Sequence, residues 1–167
     1  MKRLTAAVVC LSFLTSSVAF ATDSRGAAYF GGTVAKFNGS KDPVEGKLDT
    51  TNEETLVFTA ADKPFKGEVV AIPYKQIIDL EYGQKAGRRV GAAVATTILL
   101  GPIGVLALFS KKRNHYLTVG FTDDAGKDQV AVIELGKDIV RATLPIVETR
   151  SGKKITYQDD EAKKSAR

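Results

Sequence analysis

Between Arg89 and Lys111 the chain carries no charged residue, and this run, Val90 to Ser110, restricts the fold more than any other stretch. Its length is close to the roughly 20 apolar residues that a bilayer span requires. Lys85, Arg88 and Arg89 precede it, and Lys111, Lys112 and Arg113 follow it. At its centre stands Gly101-Pro102-Ile103-Gly104, turn chemistry that divides the run into two arms. Each arm would give roughly 15 Å of helix from about ten residues, half of a ~30 Å hydrocarbon core.

Three readings of this run compete. It is a helical hairpin that touches a membrane, an apolar element packed on the domain or on another copy, or a single transmembrane helix. Both flanks are cationic, so the rule relating loop charge to orientation selects neither direction. A hairpin with both ends at one anionic surface accounts for that symmetry. A single span would also place the strands before it and the hairpin after it in different compartments. One sheet is expected to need both halves on the same side to bury its face. The hairpin is therefore the preferred expectation.

Gly87, Gly91 and Ala95 fall four apart on the first arm, a face that lets another helix approach closely. The other arm and a second copy of the chain are both candidates for that helix. The residues expected to meet a membrane or partner are Arg88, Arg89, Gly91, Ala95, Leu99, Leu100, Pro102, Ile103, Leu106, Phe109, Lys111, Lys112 and Arg113. Beside an anionic surface each cation contributes about 1 kcal/mol while its aliphatic stem lies along the acyl boundary. The blander reading is that the cations end the apolar run and keep it soluble.

The start of the chain points to export. Lys2 and Arg3 precede an uncharged core from Leu4 to Leu14, and Ala19-Phe20-Ala21 supplies an A-x-A exit. These are the parts of a cleavable signal peptide over residues 1–21. Thr15, Ser16 and Ser17 interrupt the apolar core too early for an anchor helix. Cys10, the only cysteine, lies inside that core and is discarded with it. A mature chain from Thr22 then has no disulfide, thiolate metal site or thiol nucleophile. Its length of about 145 residues suits one domain that holds itself together by its own core. Loss of Lys2 and Arg3 lowers the formal net charge from +5 to +3, too weak a bias for nucleic acid.

After a leader at 22–28, short alternating runs predict antiparallel strands. Thr33–Phe37 is one. Gly46–Thr50 and Thr55–Ala60 flank the hairpin-like Thr51-Asn52-Glu53-Glu54, and Glu68–Ile72 ends at Pro73. Over Tyr74–Tyr82, Ile78, Leu80 and Tyr82 should be buried, with Asp79 and Glu81 on the wet face. His115–Thr122 and Gln129–Leu135 form a hairpin around Asp123-Asp124-Ala125-Gly126-Lys127, with Leu117, Val119 and Phe121 inward. From Asp138 to Arg150 the spacing of Val140, Thr143, Leu144 and Val147 predicts a helix, with Asp138 as N-cap and Gly152 as stop. Pro145 removes one hydrogen bond and predicts a kink or a later start. Lys154–Gln158 is a last extended piece, and residues 158–167 are expected to be a disordered charged tail.

This order resembles the pleckstrin-homology-like fold and its GRAM-type bacterial relatives. The residues that carry the resemblance are Ile72-Pro73-Tyr74-Lys75-Gln76-Ile77-Ile78-Asp79-Leu80-Glu81-Tyr82-Gly83, the hairpin His115 to Leu135, and the helix Lys137 to Arg150. The resemblance implies a mainly β domain over 29–157, a small antiparallel barrel plugged at one end by the helix and interrupted by an apolar hairpin insertion at 85–113. It departs from the phosphoinositide-binding members, whose first hairpin loop is basic; here Lys36, Lys41 and Lys47 are interrupted by Asp42 and Glu45. The chain also has no tryptophan, which eukaryotic members usually carry in the final helix.

Chemistry finds little support in the spacing. His115 is the only histidine, and no partner for catalysis or a metal is spaced with it. The pairs Glu53-Glu54, Asp123-Asp124 and Asp159-Asp160 sit in turns or the tail, where carboxylates are solvated or bond the local backbone. Ser110 and Ser151 lack a nucleophile-elbow context, and the glycines match no phosphate loop. The expectation is a non-enzymatic protein of the periplasm or cell envelope, without cofactor or metal, that binds a membrane lipid surface or an envelope protein. The competing expectations are a soluble periplasmic module that homo-oligomerises through residues 87–110, a single-span membrane protein, and an enzyme whose site converges only in three dimensions.

Overall fold

The computed structural model describes residues 23–38, 40, 42–84 and 114–166. The segments 1–21 and 85–113, expected as signal peptide and apolar hairpin, lie outside the described residues. Eight strands form one sheet: β1 (Asp23–Gly32), β2 (Val44–Asp49), β3 (Thr55–Ala60), β4 (Val69–Pro73), β5 (Ile77–Gly83), β6 (His115–Thr122), β7 (Asp128–Leu135) and β8 (Ile155–Tyr157). Their spatial order is β4-β3-β2-β1-β7-β6-β5-β8, so the sheet has two ends and is not closed. Every pairing is antiparallel except β5 with β8, which is parallel. Helices α1 (Val140–Ser151) and α2 (Asp160–Ser165) flank β8 in sequence.

The alternation read from the sequence decides the core. Leu48, Leu56, Phe58, Ile72, Leu80, Leu117, Val119, Ile133 and Leu144 all join one buried cluster. Because first and last strands contribute to the same cluster, the sheet must curl around its inner face. Register shifts at Arg25/Ala27, Tyr29/Gly31 and Ile77/Asp79 supply local bends of the kind β-bulges produce. Helix α1 turns Val140, Leu144 and Val147 into the same cluster. It ends where expected, at Gly152, whose φ of 67° is the left-handed conformation that a side chain disfavours.

Several expectations are corrected. Residues 23–28 are not a loose leader: they belong to β1, where Asp23 pairs with Asp49 and Ala27 with both Gly46 and Leu135. Gly26, Ala27 and Ala28 carry too little side chain for alternation to reveal a strand. Thr33–Phe37 is not a strand; a 3-10 turn at Ala35–Phe37 swings Phe37 inward, 4.7 Å from the Tyr29 ring and 5.8 Å from Phe58. In β5 the shift between Ile77 and Asp79 buries Ile77 in place of Ile78. Glu81 is buried instead of wet, and its carboxylate accepts from Gln158 Nε2 at 3.0 Å.

The first helix begins at Val140, with Ile139 as N-cap and no side-chain cap from Asp138. Pro145 lies inside the helix, so the start is not displaced to the proline. The tail is likewise not disordered over Asp160–Ser165. Asp159 Oδ1 accepts from Ala162 N at 2.8 Å, and Ala162 is fully buried against the core. One small apolar residue suffices there, because the helix needs a contact point and not a wide apolar stripe.

Candidate membrane or partner interface

All thirteen residues expected at a membrane or partner, from Arg88 to Arg113, lie outside the described residues. The structure does define the frame from which they leave and to which they return. Strands β5 and β6 are neighbours, with Tyr82 opposite Leu117 and Gly83 opposite Tyr116. Gln84 and Asn114 therefore lie at the same end of one ladder.

That end is held by side chains remote in sequence. His115 Nδ1 and Tyr82 Oη are 2.5 Å apart, and Tyr82 Oη is 3.2 Å from Ser165 Oγ. Ser165 donates to the Ala162 carbonyl at 2.8 Å. With that proton committed, Tyr82 donates to Ser165 and accepts from His115, which assigns the proton to Nδ1 of the imidazole. Burial raises the Tyr82 phenol above its ordinary value, and burial with Lys137 nearby lowers the His115 imidazole. Both groups are thereby kept neutral near pH 7. Beside them Gly83 admits the Gln158 side chain so closely that a Cβ at this position would lie 1.8 Å from it. Gln158 N donates to the Tyr82 carbonyl at 3.0 Å. The sequence gives no sign of this cluster, whose members lie 33 and 83 positions apart.

The second unforeseen feature is the outer face of the sheet's middle. Ala28 and Phe30 of β1, Tyr116 and Thr118 of β6, and Val130 and Val132 of β7 alternate with inward residues and so face away from the core cluster. They are nevertheless buried, Tyr116 to 3% exposure and both valines to 0%. Phe30 and Tyr116 meet edge to face at 5.0 Å. Acidic groups share this face: Asp79 and Glu81 on β5 and Glu134 on β7, opposite Gly120, Thr118 and Tyr116. Burial raises the Asp79 and Glu134 carboxyls above the usual carboxylate range. A signal for the face was present in the unbroken apolar run Val130-Ala131-Val132-Ile133, since burial on both sides replaces alternation by continuity.

Among the described residues no group of three or more His, Cys, Asp or Glu could hold a metal. Neither of two open grooves is lined by His115. One lies beside Pro43, Glu45, Asp62 and Phe65, the other beside Val34, Lys36, Val69 and Phe121. No helix among the described residues is long and apolar enough to cross a membrane. Comparison of the chain with protein-family models gives no match, and comparison with curated proteins gives none either.

Proposed function

We propose that this chain is a non-enzymatic, exported envelope protein that binds at a membrane surface, using the apolar residues Val90–Ser110 and their cationic flanks. Its scaffold is a curled sheet of the pleckstrin-homology type, with β1 shared between the β2–β4 side and the β5–β7 side. The observation that supports the reading is the pairing of Gly83 with Tyr116. Both ends of the apolar segment start from one end of one ladder, as a hairpin dipping into a surface requires. A single crossing would need Gln84 and Asn114 on opposite sides of a bilayer, and adjacent strand ends do not suit that. The flanks add Lys85, Arg88 and Arg89 on one side and Lys111, Lys112 and Arg113 on the other, a charge that anionic headgroups attract.

Flotation of the purified chain with vesicles tests this. The chain should rise with vesicles containing phosphatidylglycerol, less with phosphatidylcholine alone, and less again as salt screens the cations. Recovery in the bottom fraction with both vesicle types at low salt sinks the membrane reading. If that fraction is also oligomeric, and becomes monomeric when Leu99 and Leu106 are changed to Asp, the soluble self-associating module replaces it.

A further inference from the structure

We propose that the open edge of β4 receives an extended acidic segment of another protein as an added antiparallel strand, with Lys36 as the guard that selects it. The site uses none of the residues assigned to the membrane contact, so it stands or falls apart from that reading.

The edge follows from the ladder. β4 is an end strand of the sheet. On its paired side Ala60 N donates to the Glu68 carbonyl at 2.9 Å, and Tyr74 N to the Glu54 carbonyl at 2.8 Å. Antiparallel bonding recurs at every second residue, so Val70 and Ile72, opposite Phe58 and Leu56, complete that side. The N–H and C=O of Val69 and Ala71, with the carbonyl of Pro73, therefore point away from β3 along the free edge. Donors and acceptors at this spacing match the backbone of another strand, and an acyl chain cannot satisfy them.

Side chains make the edge a groove. Val70 turns inward between the exposed Val69 and Ala71. It lines the groove together with Phe121 of β6 and with Val34 and Ala35 of the 3-10 turn. Val70 and Phe121 belong to the core cluster, and Val34 packs against it. A strand laid along β4 would alternate in the same way, setting apolar side chains on this floor between residues that face outward.

Charge selects the occupant. Lys36 Nζ donates to the Val69 carbonyl at 2.6 Å and so caps one edge group. Its counter-ion Glu68 stands 3.9 Å away, with both side chains about half exposed, which makes a weak pair. The groove's other charged group, Asp123, is committed to its own turn, accepting from Ala125 N, Lys127 N and Gln129 Nε2. A lysine on a sheet edge keeps ordinary strands out, and Pro73 lacks the N–H that would extend the ladder. A carboxylate on the incoming strand offers Lys36 a stronger partner than a neutral carbonyl, and frees Val69 for the ladder. A neutral or basic strand offers no such exchange. Antiparallel addition lets Ala71 exchange both of its bonds with one residue. It also brings the C-terminal side of the incoming strand, and hence the carboxylate, to Val69.

The probes are two short peptides of alternating threonine and valine, one ending in two aspartates and the other in two lysines, titrated into the full chain. The aspartate peptide should bind at least fivefold more tightly, and Lys36→Glu, an exposed change, should reverse that order. At saturation, amide hydrogen exchange should slow at least tenfold at Val69 and Ala71, while Val70 and Ile72, already in the ladder, stay unchanged. Moving the aspartates to the start of the peptide should remove its advantage, and an advantage that survives the move overturns the antiparallel placement. No binding of the aspartate peptide, equal binding of the two peptides, an order that Lys36→Glu leaves unchanged, or binding without protection of Val69 and Ala71 overturns the proposal. So does protection of these amides that exists without peptide and is lost on dilution, which assigns the edge to a second copy. Vesicle flotation is scored separately, so failure to bind lipid and failure to accept a strand are distinguishable.

Discussion

Strand β6 is joined to its two neighbours in opposite ways. Toward β7 the chain turns at Asp123–Lys127, and the turn's own residues make most of the bonds that fix the register, Gln76 Nε2 adding one to Asp124 at 3.1 Å. Asp123 N donates to the Lys127 carbonyl at 2.8 Å, and Gly126 takes a φ of 77°. Asp123 Oδ1 accepts from Ala125 N at 3.0 Å and Lys127 N at 2.9 Å, while Oδ2 accepts from Gln129 at 2.8 Å. Toward β5 the connection runs through residues 84–114, and the ladder end is pinned by His115, Tyr82, Ser165 and Gln158. A long connection adds only logarithmically to the cost of closing the ladder, so the sheet tolerates it. It cannot set register, however, and that task passes to side chains brought by β8 and α2.

The largest effect should come from the remote pin. Tyr82 is fully buried, and Tyr82→Ala should cost about 3–5 kcal/mol in urea unfolding, as large aromatic truncations do. Tyr82→Phe keeps the ring and loses the hydroxyl, at about 1–2 kcal/mol. Its discriminating readout is hydrogen exchange: α2 should lose protection while Ala125 and Lys127 keep theirs. Equal loss at both ends of β6 would break the distinction between a local and a remote register.

The β2–β3 turn is an intermediate case. Asp49 and Asn52 accept from Thr51, Glu54 and Thr55 within the turn. Arg150 at the end of α1 adds a remote hold, donating from Nη1 to the carbonyls of Thr50 and Asn52 and lying 5.6 Å from the Tyr74 ring centre. Arg150→Met keeps the stem and removes those donors, so it should cost about 2 kcal/mol, the scale of a charge-assisted bond. Exchange should rise at Thr51 and Glu54 but less than at α2 in Tyr82→Phe, because local capping remains.

What could be read from the residues follows this division. Strand β3 at Thr55–Ala60 and strand β6 at His115–Thr122 were legible to the residue, and β7 all but its first residue, because alternation and turn chemistry are local codes. The leader, the Ala35–Phe37 turn and α2 were not, because each is ordered by contacts distant in sequence: Ala27 with Leu135, Phe37 with Phe58, Ala162 with the core. Glu81 reads as a wet-face residue only while Gln158 is unknown as its neighbour. The apolar run and its cations were plain, whereas the face of Phe30, Tyr116 and Val132 was marked only by the run Val130-Ala131-Val132-Ile133, since Thr118 and Glu134 interrupt the apolar pattern around it.

Protonation separates the two ends of β6 without mutating either. His115 is lowered from 6.5 by burial and by Lys137, so above that pH both folded and unfolded chains are neutral there. As pH falls through about 6.5 the unfolded chain takes up the proton first, and stability declines until the folded imidazole also titrates. His115→Gln should flatten the melting temperature between about pH 7.5 and 5.

Asp123 is lowered by its bonds to Lys127 N and Gln129, so its contribution is complete above the unfolded carboxylate value and lost as pH falls through the lower folded one. Asp123→Asn should therefore be destabilising near neutral pH by less than any change above, the carboxylate being solvent-exposed, and the gap to the parent should shrink below about pH 4. A gap that persists unchanged into acid would mean that the side chain acts by shape and not by charge. The turn would then be held by its glycine and backbone bonds alone, and the local end of β6 would need no titrating group, unlike the remote one.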